Sequence, residues 1–359
     1  SVMGPDINES MRTFSSNAAG DVRFGLAAVK GVGAAAVESI IAERTKNGRF
    51  KDIYDFIERV DYSLVNRKCL ENIAYAGGYD SISGFSRCKF FGVDQRDNNG
   101  VTYIEQLMRY GQRYQSEKNN AQQSLFGGDT GTTDITPPVI PACAEWSQLE
   151  KLNKEREVIG LYLSAHPLDD YKVIIRNMCK TQVGDLDHLD ELKGKEIAVA
   201  GMVVAVQNLT TKTGKPWGKF KLEDYNGTHE FALFGKDYEN FRKYLFSDYF
   251  LFIRGRVQPR PYNDQELEFR ITSMMQLSEV QEAVKEVHVQ LAVEEITRDL
   301  IARMGRSVKE AKGNTLLRLN VYDRQAQVSL NLFSKSYKVS LTQELVSFFE
   351  DNDIKYTVI

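Results

Sequence analysis

Gly31, Val32 and Gly33 interrupt two apolar stretches in VRFGLAAVKGVGAAAVESIIAER. Glycine tolerates positive φ and lets another backbone come close. A helix that begins just after such a turn points free N–H groups outward, and a phosphate is their natural ligand. Lys30 stands beside the turn and adds charge, and Ala34 opens the helix. Helix, Gly-hairpin, helix is a layout that grips duplex backbone without reading bases. A plain turn capped by glycine is the other reading. A second stretch, VNRKCLENIAYAGGYDSI, repeats the theme with Gly77 and Gly78, although a helix C-cap alone accounts for Gly77.

A different chemistry is suggested between Lys195 and Arg260, where eleven Lys or Arg face seven Asp or Glu. NLTTKTGKPWGK brings Lys212, Lys215 and Lys219 around Trp217, and FLFIRGRVQPR brings Arg254, Arg256 and Arg260. Cations along a groove with aromatic faces between them hold single-stranded nucleic acid by backbone charge and base stacking. Strand alternation sends part of the set Phe220, Phe231 and Phe234 to a core, so Lys212, Lys215 and Arg256 are stronger candidates than any Phe. Asp185 and Asp187 form an Asp-x-Asp that could hold Mg²⁺ for phosphoryl transfer. Leu186, Leu189 and Leu192 at helical spacing favour a short helix with acidic caps instead. His166 precedes Pro167 in a turn and suits packing or a local hydrogen bond, while His188, His229 and His288 have no evident partners. No Walker loop, Gly-x-Ser-x-Gly or His-Glu-x-x-His occurs. These are binding parts without a catalytic set.

The elements that must position these residues follow from periodicity. Residues 1–25 read as short extended pieces and 26–120 as mostly helical, with helices at Ala34–Arg44, Ile53–Val60 and Asn66–Ala74. Residues 119–142 read as a linker, and Trp146–Leu161 returns to helix. After Lys195, five runs alternate near period two and suggest a small barrel with nucleic-acid-binding loops. From about Lys285 come a strand, a helix over Glu294–Met304, a hairpin, a helix over Thr342–Phe349 and a last strand, Lys355–Ile359. The 359 residues imply two or three domains, and the net charge of −3 confines any nucleic-acid contact to local patches. The four cysteines lack Cys-x-x-Cys spacing, which argues against a zinc site and against a redox motif and fits a reducing cytosol. No apolar run approaches the roughly 20 residues of a membrane span, and no signal peptide is evident. A start at SVMGPDINES suggests a piece of something longer.

One stretch of the linker, QQSLFGG, is out of character. Leu125 and Phe126 are large apolar side chains in polar surroundings, and each forgoes about 1.5–3 kcal/mol of burial. Either they dock on the chain's own body or they serve a partner.

Taken in order, PDIN (Pro5–Asn8), VRFGLAAVKGVG (Val22–Gly33), AGGYDSI (Ala76–Ile82), EREVIGLYLSAHPLDDY (Glu155–Tyr171) and the barrel strands resemble the C-terminal portion of the bacterial replicative polymerases, the DNA polymerase III alpha subunits. The last seventy residues match more loosely. The resemblance implies an α+β multi-domain chain: a helix-hairpin-helix domain (1–118), a linker (119–145), a helical connector (146–194), a five-stranded OB barrel (195–280) and a small C-terminal α/β domain (281–359). It implies duplex-backbone contacts at Lys30, Gly31, Val32, Gly33, Ala34, Gly77 and Gly78. The second hairpin departs from the family pattern, which has a single glycine before Ala-Phe-Asp. Single-stranded DNA contacts are implied at Lys212, Lys215, Trp217, Lys219, Arg254 and Arg256. Gln122, Leu125 and Phe126 fit a sliding-clamp-binding peptide, an extended segment offering Leu and Phe to an apolar pocket. The C-terminal domain is expected to bind the tau subunit of the clamp loader. The catalytic palm, with the Mg²⁺ it would use, is expected upstream of PDIN, so no catalytic residue, metal or cofactor is assigned here. The chain is expected in the bacterial cytoplasm, with no membrane partner. Two rivals predict differently: a stand-alone single-stranded-nucleic-acid- or tRNA-binding OB module, and a metal-dependent nuclease using Asp185 and Asp187.

Overall fold

The computed structural model describes the chain except residues 1, 18–19, 94–99, 124–134 and 261–262. It divides into two compact units, Ser1–His166 and Pro167–Ile359. The first opens with a three-stranded sheet of very short strands, β1 (Val2–Met3), β2 (Ser15–Ser16) and β3 (Val22–Arg23), in the order β1-β3-β2. Helices follow: α1 (Ala34–Asn47), α2 (Ile53–Arg59), α3 (Arg67–Tyr75), α4 (Asp80–Ser83), α5 (Tyr103–Gln123) and α6 (Gln148–Ile159). Asp52, Asn66 and Ser147 cap α2, α3 and α6 by accepting backbone N–H bonds. Their apolar stripes meet in one core that includes Leu26, Val37, Ile40, Phe56, Leu70, Ile73 and Leu107.

Three expectations change in this unit. The segment before the Gly-hairpin is a single 3-10 turn, Leu26–Ala28, and not a helix. Its first amides, those of Leu26 and Ala27, bond to the carbonyls of Met11 and Arg12, and the turn ends because Val29 is extended (φ −75°, ψ 124°). The described parts of the expected linker are structured: α5 runs to Gln123, and Ile135 to Trp146 lies back along the helices. Tyr54 donates to the Pro138 carbonyl at 3.3 Å, and Trp146 stacks on Phe91 with ring centroids 5.6 Å apart. The expected connector is no separate body, because α6 adds Val158 to the first core whereas the next helix belongs to the second unit.

The second unit begins with α7 (Lys172–Met178), which leads into β4 (Glu196–Thr210), β5 (Pro216–Glu223), β6 (Thr228–Phe234), α8 (Gly235–Phe241), β7 (Phe250–Arg260) and β8 (Asn263–Gln276). These strands form an antiparallel sheet ordered β6-β5-β4-β7-β8. The long β4 serves both halves: Glu196–Met202 pairs with β7, and Met202–Thr210 pairs with β5. Gly201 allows the close crossing, since a Cβ there would lie 2.5 Å from the Glu223 carbonyl oxygen. Inside the sheet sit Val199, Val203, Phe220, Leu222, Phe231, Leu251 and Ile253. α9 (Leu277–Ala283) connects to β9 (Glu286–Ala292), α10 (Arg298–Glu310), β10 (Lys312–Asp323), β11 (Val328–Val339), α11 (Gln343–Asp351) and β12 (Lys355–Val358). Their mixed sheet runs β11-β10-β9-β12, with β9 and β10 parallel across α10. Thr297 and Thr342 cap α10 and α11. Helix α10 starts four residues later than its sequence suggests, because Glu294 and Glu295 lie in a preceding 3-10 turn. Ala200 and Phe252 pack into the core of this C-terminal sheet, which joins the barrel to it.

Candidate nucleic-acid interface

The Gly-hairpin is open. Lys30, Gly31, Gly33, Ala34 and Ala35 are exposed, while Val32 is buried and anchors the turn. Gly31 has φ +74°, a conformation L side chains rarely adopt, and a Cβ there would lie 2.6 Å from Asn72 Nδ2. Gly33 needs no such freedom. It is extended (φ −70°, ψ 148°) at the N-cap of α1, with nothing within 4 Å of a Cβ. Unlike α2, α3, α6, α10 and α11, helix α1 has no capping side chain, and like α3 it has no acidic residue in its first turn. Its first amides therefore face outward with the positive end of the helix dipole.

Two helices hold the turn in place. From α6, the Val158 carbonyl accepts the Lys30 amide at 2.8 Å, and the Glu157 carbonyl accepts Lys30 Nζ at 3.0 Å. From α3, Asn72 Nδ2 donates to the Lys30 carbonyl at 2.5 Å. Lys30 is thus a strut, and its ammonium is engaged. A second exposed cation stands against the hairpin, Lys68, whose Cε would lie 3.2 Å from a Gly31 Cβ. Sequence reasoning passed over Lys68 and Asn72. Their i, i+4 spacing on a helix capped by Asn66 was the available signal.

The second glycine pair does something else. Gly77 and Gly78 are buried. A Cβ on Gly77 would lie 2.0 Å from Arg87 Nη2, and one on Gly78 would lie 2.5 Å from Ile73 Cγ2. The Gly78 carbonyl accepts the Ile7 amide at 2.9 Å, in the PDIN stretch. These glycines make room for packing and offer no surface to a phosphate, which corrects the expectation for them. Arg87 bonds Asp80 at 2.9 Å and Glu155 at 3.3 Å. Burial works against its charge, but the two carboxylates hold its pKa above the usual arginine value. Glu155, 2% exposed, also accepts the amides of Leu163 and Ser164, each at 2.8 Å, and the Ser164 hydroxyl at 2.9 Å. That accounts for the words EREVIGLYLS: one buried carboxylate folds the chain back after α6.

In the barrel, the six expected cations and aromatics form two groups. Lys212 and Lys215 lie in the β4–β5 turn, and Trp217 and Lys219 lie on the outward face of β5. Arg254 and Arg256 stand on β7 opposite Ala198 and Glu196, whereas Lys219 pairs with Gln207. Arg254 and Arg256 thus flank the first stretch of β4 and Lys219 the second, on either side of the crossing at Gly201. Trp217 stacks on Phe234 at 4.8 Å and 14°, and Phe234 is 55% exposed. Phe220 and Phe231 form a parallel stack at 4.9 Å inside the barrel. Phe234 was undervalued in the sequence, although its alternation with Glu230 and Ala232 on the outward side of β6 marked it. Lys219 is paired with Glu230 at 3.1 Å. A groove of about 1010 Å³ between β6 and β8 is lined by Asp187, Glu230, Asp237, Glu266 and Glu268 against Arg260 and Arg270, a balance that repels phosphates.

The Asp-x-Asp is spoken for. Asp185 accepts the Gln182 amide at 2.8 Å and caps its own 3-10 turn, and Asp187 sits 2.7 Å from His229 Nδ1. His288 likewise has a partner, Glu286, at 2.9 Å. Among the described residues no group of three His, Cys, Asp or Glu could hold a metal, and no helix is long and apolar enough to cross a membrane. Gln122 is in the last turn of α5 and not in extended chain; Leu125 and Phe126 lie outside the described residues.

Three family models match in chain order: the helix-hairpin-helix motif over residues 1–90, the OB-fold nucleic acid binding domain over 197–277, and the C-terminal domain of the DNA polymerase III alpha subunit over 287–359. The DNA polymerase III alpha subunit of Haemophilus influenzae is 30% identical over 89% of this chain and 26% of its own length. The chain belongs to the DNA polymerase III alpha family. It corresponds to the C-terminal region of that subunit and spans about a quarter of the length of the curated relatives it matches. The alpha subunits of Saccharopolyspora erythraea (32% identity over 72% of this chain and 21% of the relative) and Escherichia coli (27% over 96% and 29%) agree. Of the alpha-family segments, the hairpin model takes in Lys30–Ala34, Lys68 and Asn72, and the OB model takes in both cationic groups. Gln122, Leu125 and Phe126 fall between the matched segments.

Proposed function

We infer that this region is the DNA-holding and processivity portion of a replicative polymerase. The observation that carries the reading is the hairpin Gly31–Ala34: exposed, uncapped, and braced by α3 and α6. A duplex phosphate accepting the first amides of α1 would sit beside Lys68, which supplies charge without sequence preference. The stack of Trp217 on Phe234, with Lys212 and Lys215 at its edge, offers an aromatic face and cations to a single-stranded template. Gln122, Leu125 and Phe126 are assigned to a sliding clamp, and the C-terminal α/β sheet to the clamp-loader tau subunit. Both assignments rest on the family's order of parts. A short tether binds weakly alone and gains from effective concentration on shared DNA. No chemical step is assigned, and the nuclease alternative finds no support at Asp185 and Asp187, since among the described residues no group of three His, Cys, Asp or Glu could hold a metal.

Fluorescence anisotropy of the chain with a blunt duplex tests the central reading. Lys68→Ala is expected to weaken binding about equally for all sequences and to lower the salt slope by roughly one. Unchanged affinity and slope would remove Lys68 from the contact. Calorimetry with the cognate sliding clamp tests the tether: binding is expected to vanish in Leu125→Ala/Phe126→Ala. If both proteins bind equally, the clamp contact lies elsewhere.

A further inference from the structure

Two thiols meet in the first unit, and DNA holding uses neither. Cys88 lies in the 3-10 turn Arg87–Phe91, 4% exposed, and Cys143 lies in the segment that returns along the helices. Both are free cysteines, and their Sγ atoms are 2.7 Å apart. That is inside the contact distance of two unbonded sulfurs and close to an S–S bond of about 2.0 Å. The approach is held from both sides of Cys143. Before it, Pro141 is buried against Gly92, where a Cβ would come within 2.8 Å of Pro141 Cγ. After it, Glu145 accepts a hydrogen bond from Ser86 at 2.7 Å and Trp146 stacks on Phe91.

We propose that Cys88 and Cys143 form a redox modification site, oxidised by a peroxide to a disulfide that ties the segment 135–146 to the helical body. One thiolate attacks a peroxide oxygen, giving a sulfenic acid and hydroxide. The second thiolate attacks the sulfenic sulfur and expels another hydroxide. The two protons released by the thiols convert these to water. Two thiols and one hydrogen peroxide thus give one disulfide and two waters, the sulfurs losing the two electrons that the peroxide gains. The surroundings make the reaction slow at neutral pH. Burial and the bond to Cys88 push the Cys143 thiol up to about 12, with Glu145 acting in the same direction and Lys89 against it. Glu145 also lies 3.5 Å from Cys88 Sγ, Lys151 lines the same pocket, and Arg87 is occupied by Asp80 and Glu155. Oxidation therefore accelerates as pH rises.

The test treats the fully reduced chain with hydrogen peroxide and follows intact mass, a non-reducing peptide map and thermal unfolding. Expected are the loss of two hydrogens, a Cys88–Cys143 linked peptide, and a Tm raised by about 5 °C and restored by a thiol reductant. Cys69 and Cys179 remain thiols, and Cys143→Ala gains neither link nor Tm. The wild-type peptide map decides the matter even if the variant folds poorly. Sulfinic acid at either cysteine without a link, links to Cys69 or Cys179, four thiols surviving peroxide, or zinc bound at the pair would each overturn the proposal. Duplex affinity is expected to be equal in both redox states, so this outcome is separate from the reading of the hairpin.

Discussion

Gly31-Val32-Gly33 and Gly77-Gly78 carry the same sign in the sequence, glycines at a turn between helices, and they do opposite work. At the first, the backbone is exposed and one glycine has only open space around it. At the second, both glycines are buried, and the space a side chain would take is filled by Arg87 and Ile73. Glycine can be required because something must approach from outside or because something already has from inside. The neighbours decide which: small exposed alanines follow Gly33, while Gly77 lies beside the Asp80–Arg87–Glu155 network.

Substitution separates the two most sharply in stability. Gly77→Ala adds a side chain at φ +82° in the place of the Arg87 guanidinium. It is expected to cost about 3 kcal/mol in urea unfolding. Gly33→Ala, in open extended backbone, should change stability by under about 1 kcal/mol. Equal effects at the two positions would erase the distinction. The barrel offers the same contrast between its two aromatic stacks. Phe234→Ala removes an exposed platform and is expected to weaken single-stranded DNA binding by about 1–3 kcal/mol with little loss of stability. Phe220→Ala empties a core position and is expected to destabilise by about 3–5 kcal/mol. An unchanged single-strand affinity in Phe234→Ala would move the binding face off β5 and β6.

Much of the fold was legible because its signals are local. Alternation marked all five barrel strands, and apolar spacing marked α1, α2 and α3 to within a few residues. What was missed depends on partners distant in sequence. Leu26–Ala28 looks helical, but its amides dock on the distant carbonyls of Met11 and Arg12 and the chain turns extended at Val29. Residues 135–145 look like linker because the attachments of this stretch and of Trp146 after it, Tyr54, Phe91 and Ser86, lie far upstream. The site was legible in its type and less so in its members. Lys30 was marked by adjacency, yet Glu157, 127 positions away, takes its ammonium, and Lys68 stands against Gly31 instead. The arginines of β7 joined the β5 cations in the sequence because one dimension does not show that they flank different stretches of β4.

Duplex binding by Gly33→Asp, with unfolding measured on the same samples, tests the central claim most directly. An aspartate there has room, suits the N-cap of α1 and should hold or raise stability by a few tenths of a kcal/mol. It would also place a carboxylate on the amides assigned to the phosphate. Duplex affinity is expected to fall by about tenfold, or about 1.4 kcal/mol, while stability holds. Full duplex affinity in a stable Gly33→Asp chain would contradict the account.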